Sequence, residues 1–274
     1  MNRISGLFGS GKRILLLPLF LLLIHIPEAW SQETTERAHF QIKIGATYDR
    51  GDYGTTDLTK VVFVPVTFRY LGKRYDVSVT PSFARVESSG GVQLIEGVPT
   101  PTGVAGTTRV TNSGVGDTVV RSRFYLLEGT RSAPSISPFV KIKIPTSPSA
   151  LSLGTGKTDA GFGVEMDHQI SRTILFGDLS YTFIGDITGL NLRNRPAGSF
   201  GIGERITNSV VVNGMIDWRR SVLATNPDPT DLVGVISYRV SPSLTVSPNA
   251  YVGLTRSTSD YGGGIEFSFR FRRY

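Results

Sequence analysis

The sequence predicts an all-β fold, an antiparallel up-and-down transmembrane β-barrel of about twelve strands. Three observations predict it. Beyond residue 38 the chain alternates apolar and polar residues in runs of about ten, the pattern of strands with one apolar face. Short connections and long ones follow each other in turn. Aromatic residues (Tyr48, Tyr70, Tyr75, Phe83, Phe183, Trp218, Tyr238) stand at strand ends, where the girdles at two membrane interfaces belong. A soluble β-sandwich would also alternate, but it has no use for such girdles.

Residues 1–31 read as a cleaved secretory signal peptide and residues 32–274 as the barrel. Met1–Arg13 is polar and basic, and Ile14–Ile26 is almost wholly apolar. An apolar run of about 13 residues is short of the roughly 20 a membrane helix needs. Ala29 and Ser31 supply small residues before a cut at Gln32. An uncleaved anchor helix is the other reading, and the short run disfavours it.

The strands follow in order. The first sets Phe40, Ile42, Ile44, Ala46 and Tyr48 against Gln41, Lys43, Gly45 and Thr47. The second sets Val62, Val64, Val66, Phe68 and Tyr70 against Phe63, Pro65, Thr67 and Arg69. The third, over 75–84, sets Tyr75, Val77, Val79 and Phe83 against Asp76, Ser78, Thr80 and Ser82. Further strands are expected over 115–127, 134–145, 160–170, 173–183, 198–206, 210–219, 231–240, 243–254 and 262–274. In the last, Ile265, Phe267, Phe269 and Phe271 oppose Glu266, Ser268, Arg270 and Arg272. Most have the roughly 9–11 residues of a tilted membrane strand. Turns near 71–74, 128–133, 171–172, 207–209 and 241–242 are short; polar, Gly- and Thr-rich loops near 49–59, 85–114, 146–159, 184–197, 220–230 and 255–261 are longer. Outer-membrane barrels have short periplasmic turns and long external loops, so both ends of the barrel sheet are expected on the periplasmic side.

Charge follows the same alternation. Lys43, Arg69, Asp76, Arg121, Arg123, Lys141, Lys143, Glu165, Asp167, Asp178, Asp217, Arg219, Arg239, Glu266 and Arg270 fall on the rows opposite the apolar ones. An Arg or Lys facing lipid at mid-membrane costs about 2–4 kcal/mol, so these residues are expected to line the lumen. Arg121 and Arg123 neighbour Lys141 and Lys143 on adjacent strands, and Glu165 and Asp167 on the next strand are expected to oppose them. Whether such a lumen is an open charged route or is closed by paired side chains stays undecided at this level. The second long loop carries Val92, Leu94, Ile95 and Val98; it could fold inward, and these residues could meet lipopolysaccharide acyl chains, an apolar solute, or only each other.

Several chemistries find little support. Cys is absent, which removes thiol catalysis and Cys-ligated metals. The leader carries +2, leaving +5 of the formal +7 charge, with no dense basic run of the kind that tracks nucleic acid. Barrel enzymes that act on lipids need a His with Ser or carboxylate partners at one rim. Beyond the leader only His39 and His168 remain. Asp167 adjoins His168 in a strand and so points to the other face. Asp49, Asp52, Asp57 and Asp117 lack EF-hand spacing. Gly154–Thr158 reads like part of a phosphate loop, but Leu151 stands where its first Gly belongs. No catalytic residue, metal site or cofactor is expected.

Three segments resemble a known family. Gly114-Val115-Gly116-Asp117 opens a strand, Lys143-Ile144-Pro145-Thr146 ends one, and Leu153-Gly154-Thr155-Gly156-Lys157-Thr158-Asp159 forms a loop. The series resembles the outer-membrane barrel family named after the MetA pathway of phenol degradation. Its members share a G-x-G-D start, an L-P-T-G-like strand end and an L-G-T-G loop, here over about residues 40–274. The chain departs from the second motif with Ile144-Pro145-Thr146-Ser147, and its apolar C-terminal row ends at Phe271 with Tyr274 out of phase. The resemblance implies a barrel in the bacterial outer membrane associated with uptake of small, often aromatic compounds. The expected function is therefore a channel or transporter for small solutes, hydrophobic or aromatic ones included. Its expected partners are outer-membrane lipid, lipopolysaccharide, the barrel-insertion machinery acting on the C-terminal strand, and the solutes. A non-transporting structural or surface-binding barrel is the second reading, and a lipid-acting barrel enzyme the third.

Overall fold

The computed structural model describes residues 39–55, 57–89, 91–102, 108–187 and 189–272; the leader and its cut site lie outside them. The strands are β1 (His39–Gly51), β2 (Thr59–Leu71), β3 (Tyr75–Thr80), β4 (Ser82–Ser88), β5 (Val92–Ile95), β6 (Val98–Pro101), β7 (Val110–Val115), β8 (Thr118–Phe124), β9 (Ser135–Ile144), β10 (Asp159–Ile170), β11 (Thr173–Phe183), β12 (Arg195–Arg205), β13 (Val210–Arg219), β14 (Thr230–Ser241), β15 (Leu244–Gly253) and β16 (Tyr261–Arg272). Pairing is antiparallel throughout, and β1 pairs with both β2 and β16, which closes the sheet. β3 and β4 are halves of one wall strand, and β7 and β8 of the next. The wall therefore has twelve strands.

The two broken strands mark where the sequence pattern misled. The third wall strand was expected to stop at 84, yet β4 continues to Ser88; the fourth was expected from 115, yet β7 begins at Val110. Pro81 has no N–H to give to the ladder and interrupts the third strand. Gly116 and Asp117 interrupt the fourth at the same level, where Gly116 N–H donates to the Ser82 carbonyl at 2.9 Å. Above this break the outward row of β7 reads Thr111, Ser113, Val115. A row that has left the hydrocarbon need not be apolar, so its alternation fades.

Large apolar side chains cover the outside. Phe40, Phe68, Phe162, Leu179, Phe200 and Ile216 are each more than half exposed, an arrangement stable only against lipid. Phe40, Tyr70 and Tyr75 stack along the end that carries the short turns, with centroids 5.3 and 6.2 Å apart. Phe162, Tyr181 and Phe183 form a second group at the other end. These are the two girdles. No helix among the described residues is long and apolar enough to cross a membrane; the strands cross instead.

The second external loop contains a hairpin of its own, β5–β6, paired from Val92↔Pro101 to Ile95↔Val98. Its two turn residues, Glu96 and Gly97, have φ of 53° and 75°, the left-handed pair that matches strand twist in a two-residue turn.

Leu179 is 68% exposed at the middle of β11. Replacing it with Arg should destabilise the barrel in vesicles by about 2–4 kcal/mol, read as a lowered urea midpoint for unfolding from the bilayer. Leu179→Ser should cost much less, and equal effects would contradict a lipid-facing position.

Candidate functional site

The inward rows form two unlike walls. On β2, β3, β8 and β10 the wall is ionic. Asp76 accepts through one oxygen from Arg69 (2.9 Å), Arg123 (2.8 Å) and the Tyr125 hydroxyl (2.8 Å). Arg123 also reaches Glu165 at 2.6 Å, and Arg121 binds the other oxygen of Glu165. The Arg121 guanidinium lies 3.8 Å over the Phe139 ring, a cation–π contact in a desolvated setting. Gly163 makes room for that ring, since a Cβ there would sit 2.5 Å from it. Five charged residues thus interlock across four strands.

The opposite wall is apolar. Ile174, Phe176, Val211, Met215, Val233, Val235 and Tyr251 form one buried cluster on β11, β13, β14 and β15. A Cβ on Gly201 would come within 2.4 Å of the Phe176 ring, so the glycine opens the bay that holds it. These residues share rows with Asp178, Asp217, Arg219, Asp231 and Arg239. Alternation alone places apolar side chains outward and charged ones inward, and so does not reveal them. The available signal was apolar residues on both rows of one strand, as in Val211-Val212 and Val235-Ile236, which marks a strand buried on both faces.

Lys43 pairs with Glu266 at 3.3 Å. Asp178 accepts from the Ser199 hydroxyl, and Asp167 from Ser135. Arg219 binds Asp231, with Asp217 at 3.4 Å. Arg239 and Arg270 are half-buried on inward rows. Of the expected pairings, Glu165 meets Arg121 and Arg123, but Glu165 and Asp167 do not face Lys141 and Lys143. In the antiparallel register Lys143 is opposite Asp159 and Lys141 opposite Gly161, while Glu165 and Asp167 are opposite Ser137 and Ser135.

Lys143 instead joins the three family-like segments. Its ammonium contacts Asp117 (3.2 Å), Asp159 (2.7 Å) and the Thr155 hydroxyl (2.8 Å). Asp117 accepts from Ser147 N–H at 3.2 Å, and Thr146 donates to the Gly116 carbonyl at 2.8 Å. Gly154 lies against the Asp117 carboxylate, where a Cβ would come within 2.5 Å. The loop after β9 is thereby folded down onto the inner wall, and the G-x-G-D segment holds it from the break between β7 and β8.

The β5–β6 hairpin occupies the external mouth. Leu94 packs on Val61, Ala84, Val86 and Leu153, and Ile95 on Ile184, Leu192 and Val222. The hairpin therefore bridges opposite walls. Gln93 donates to the Gly154 carbonyl, and Glu96 meets Lys141, both at 2.8 Å. Leu94 and Ile95 of this loop are thus packed within the mouth. His168 lies on the outward row between Met166 and Ile170, both exposed, whereas Asp167 faces inward to Ser135.

Asp76 holds three donors in a buried site, so Asp76→Ala should destabilise the folded barrel by about 3–5 kcal/mol. Equilibrium unfolding in detergent micelles should show this as a lower denaturant midpoint; a change below about 1 kcal/mol, the worth of an exposed pair, would mean the cluster is hydrated.

Comparison with known proteins agrees with this architecture. None of the curated proteins compared matches the sequence. An outer membrane channel from Pseudomonas putida F1 superposes with a TM-score of 0.64 at 9% identity, covering 90% of this chain and 99% of that one. The KdgM porin superposes with a TM-score of 0.50 at 8% identity, covering 85% and 99%. The CymD monoaromatic hydrocarbon channel gives 0.49 at 9% identity, covering 88% and 90%. At such identities the likeness is one of fold. The sequence itself matches a family model over residues 53–271, from the first external loop through the last strand, and the chain therefore belongs to the family described as "Putative MetA-pathway of phenol degradation".

Proposed function

We propose that the protein is a channel of the bacterial outer membrane that passes small, largely apolar solutes, aromatic ones included, and that the β5–β6 hairpin is its gate. The observation that carries this reading is the two-sided lumen. An apolar strip runs down β11–β15 beside an ionic wall, a surface suited to a ring with one polar substituent. At the mouth the hairpin adds separate apolar contacts, Leu94 toward Val61, Ala84 and Val86 and Ile95 toward Ile184, Leu192 and Val222. A lumen built only for hydrated ions would not spend buried valines and a phenylalanine on its inner wall. Membership of a family named for phenol degradation points to the same solute class.

In this reading Lys43, Arg69, Arg121, Arg123, Lys141, Lys143, Glu165, Asp167, Asp178, Asp217, Arg219, Arg239, Glu266 and Arg270 brace or line the route, and no residue performs covalent chemistry. The exposed belt meets lipid and lipopolysaccharide, and β16 is the segment offered to the insertion machinery.

The gate reading is tested by single-channel recording of the refolded protein in planar bilayers. Replacing residues 92–101 with a short Gly/Ser linker should raise conductance several-fold and speed entry of benzene-sized solutes into vesicles. Unchanged conductance would remove the hairpin from the route, and a folded, silent deletion would favour a structural barrel.

The Glu96–Lys141 pair, acting as a latch on the hairpin, predicts a pH response. Burial alone would raise the Glu96 carboxyl, but Lys141, Arg195 and Lys143 outweigh it and hold the group below its ordinary value. A depressed carboxyl contributes stability above its ordinary range and loses it as pH falls through the depressed value. Opening frequency should therefore be flat from neutral pH down to the ordinary carboxylate range and rise only below it. Glu96→Gln should already show the higher frequency at neutral pH and no further acid rise; an unaltered acid profile in that variant would exclude the latch.

A further inference from the structure

Arg195 differs from the other buried arginines discussed above. It begins β12, where its backbone pairs with Thr182, and its side chain is only 4% exposed. Arg121, Arg123 and Arg219 each sit on a carboxylate. Among the described residues the Arg195 side chain has no ion pair and no hydrogen bond, and its buried Nε has no acceptor. Glu96, Asp159 and Asp217 act on it from a distance, but each is bonded elsewhere. Glu96 holds Lys141 at 2.8 Å; Asp159 holds Lys143 at 2.7 Å and Gly185 N–H at 2.8 Å; Asp217 lies 3.4 Å from Arg219.

Arg195 lines a small void of about 10 Å³, room for one water-sized group and partly continuous with solvent, between the β5–β6 hairpin and the β12–β14 side of the mouth. Tyr53 and Ser257 line it as well, and their buried hydroxyls also lack partners. Asn226 adds an amide, and Val98 and Val222 give apolar walls. Burial, with the acids Asp49, Asp231 and Asp260, pushes the Tyr53 phenol well above its ordinary value, so it remains a proton donor.

A guanidinium offers only donors, and both hydroxyls can donate. Buried donors without acceptors are costly, and a buried cation without a counter-charge more so. A ligand that only accepts and carries negative charge answers all three groups at once. We infer that this void binds one small anionic group, either a free halide or the carboxylate head of an organic solute whose body lies outside it, with Arg195 as its charge partner and the Tyr53 and Ser257 hydroxyls as donors. The site stands apart from the question of what the barrel conducts. It would add a second tie between the hairpin, through Val98, and the far wall.

Anomalous diffraction tests it on crystals of the refolded barrel. One arm uses sodium bromide, the other p-bromobenzoate in halide-free buffer. A bromide peak within hydrogen-bond distance of the guanidinium is expected in the first arm if the ligand is a free halide. A carboxylate on Arg195 with bromine one ring length away is expected in the second if it is an organic acid. Arg195→Gln should abolish whichever signal appears. No anomalous signal near Arg195 in either arm, or one that survives Arg195→Gln, would overturn the proposal. Should that variant fail to fold, Tyr53→Phe and Ser257→Ala carry the test: each must lower the occupancy, and full occupancy in both would overturn it.

Discussion

Everything in this molecule follows from the need to pair every backbone N–H and C=O inside hydrocarbon, where no water can serve. Strands meet that need only if the sheet has no free edge, so β1 must bond to β16 as well as to β2. Closure fixes the tilt and the twelve-strand girth, and it forces each strand to present one row to lipid and one to the interior. The outer row has a single acceptable chemistry. The inner row is free to vary, and the protein's individuality lies there.

The interior resolves its charges by mutual pairing. Three arginines on one wall share two carboxylates, so no member of that cluster is left bare in a site poor in water. Such networks contribute less to net stability than their contact number suggests, because desolvation offsets much of the Coulomb gain. They do fix geometry. With this wall rigid, the hairpin has a defined surface to close against, and the knot of Lys143 with Asp117 and Asp159 fixes the loop on which Leu94 rests.

The outer surface was legible in the sequence because lipid imposes it residue by residue. Phe40 to Tyr48 and Ile265 to Phe271 could be read off directly, and most strand limits fall within a few residues of those expected. Legibility failed where lipid stopped dictating. The upper halves of the third and fourth wall strands lie beyond the hydrocarbon, so residues 110–114 read as loop. The inner apolar wall was hidden because Val233 and Val235 look like any outward valine unless their phase is tied to Asp231 and Arg239. Partners such as Lys143 with Asp159 depend on antiparallel register, which a list of charged positions does not contain. The buried, unpartnered Arg195 gave no signal at all, since its isolation depends on what neighbouring loops fail to offer it.

The balance of forces on the hairpin argues for an apolar solute as the agent that moves it. Fully burying a Leu, Ile or Val side chain is worth roughly 1.5–3 kcal/mol each, so Leu94, Ile95 and Val98 hold the hairpin more firmly than the single Glu96–Lys141 pair does. A ligand shifts a two-state element only by its difference in affinity for the two states. A hydrated ion gains nothing by exposing those three side chains and has no means to open the gate efficiently. An apolar ring that entered the mouth and covered Leu94 and Ile95, or their former sites on Val86 and Val222, would restore much of the lost burial. The closed state would then be stable against water and ions yet close in energy to an open state occupied by the solute, which is the condition a selective passive channel requires.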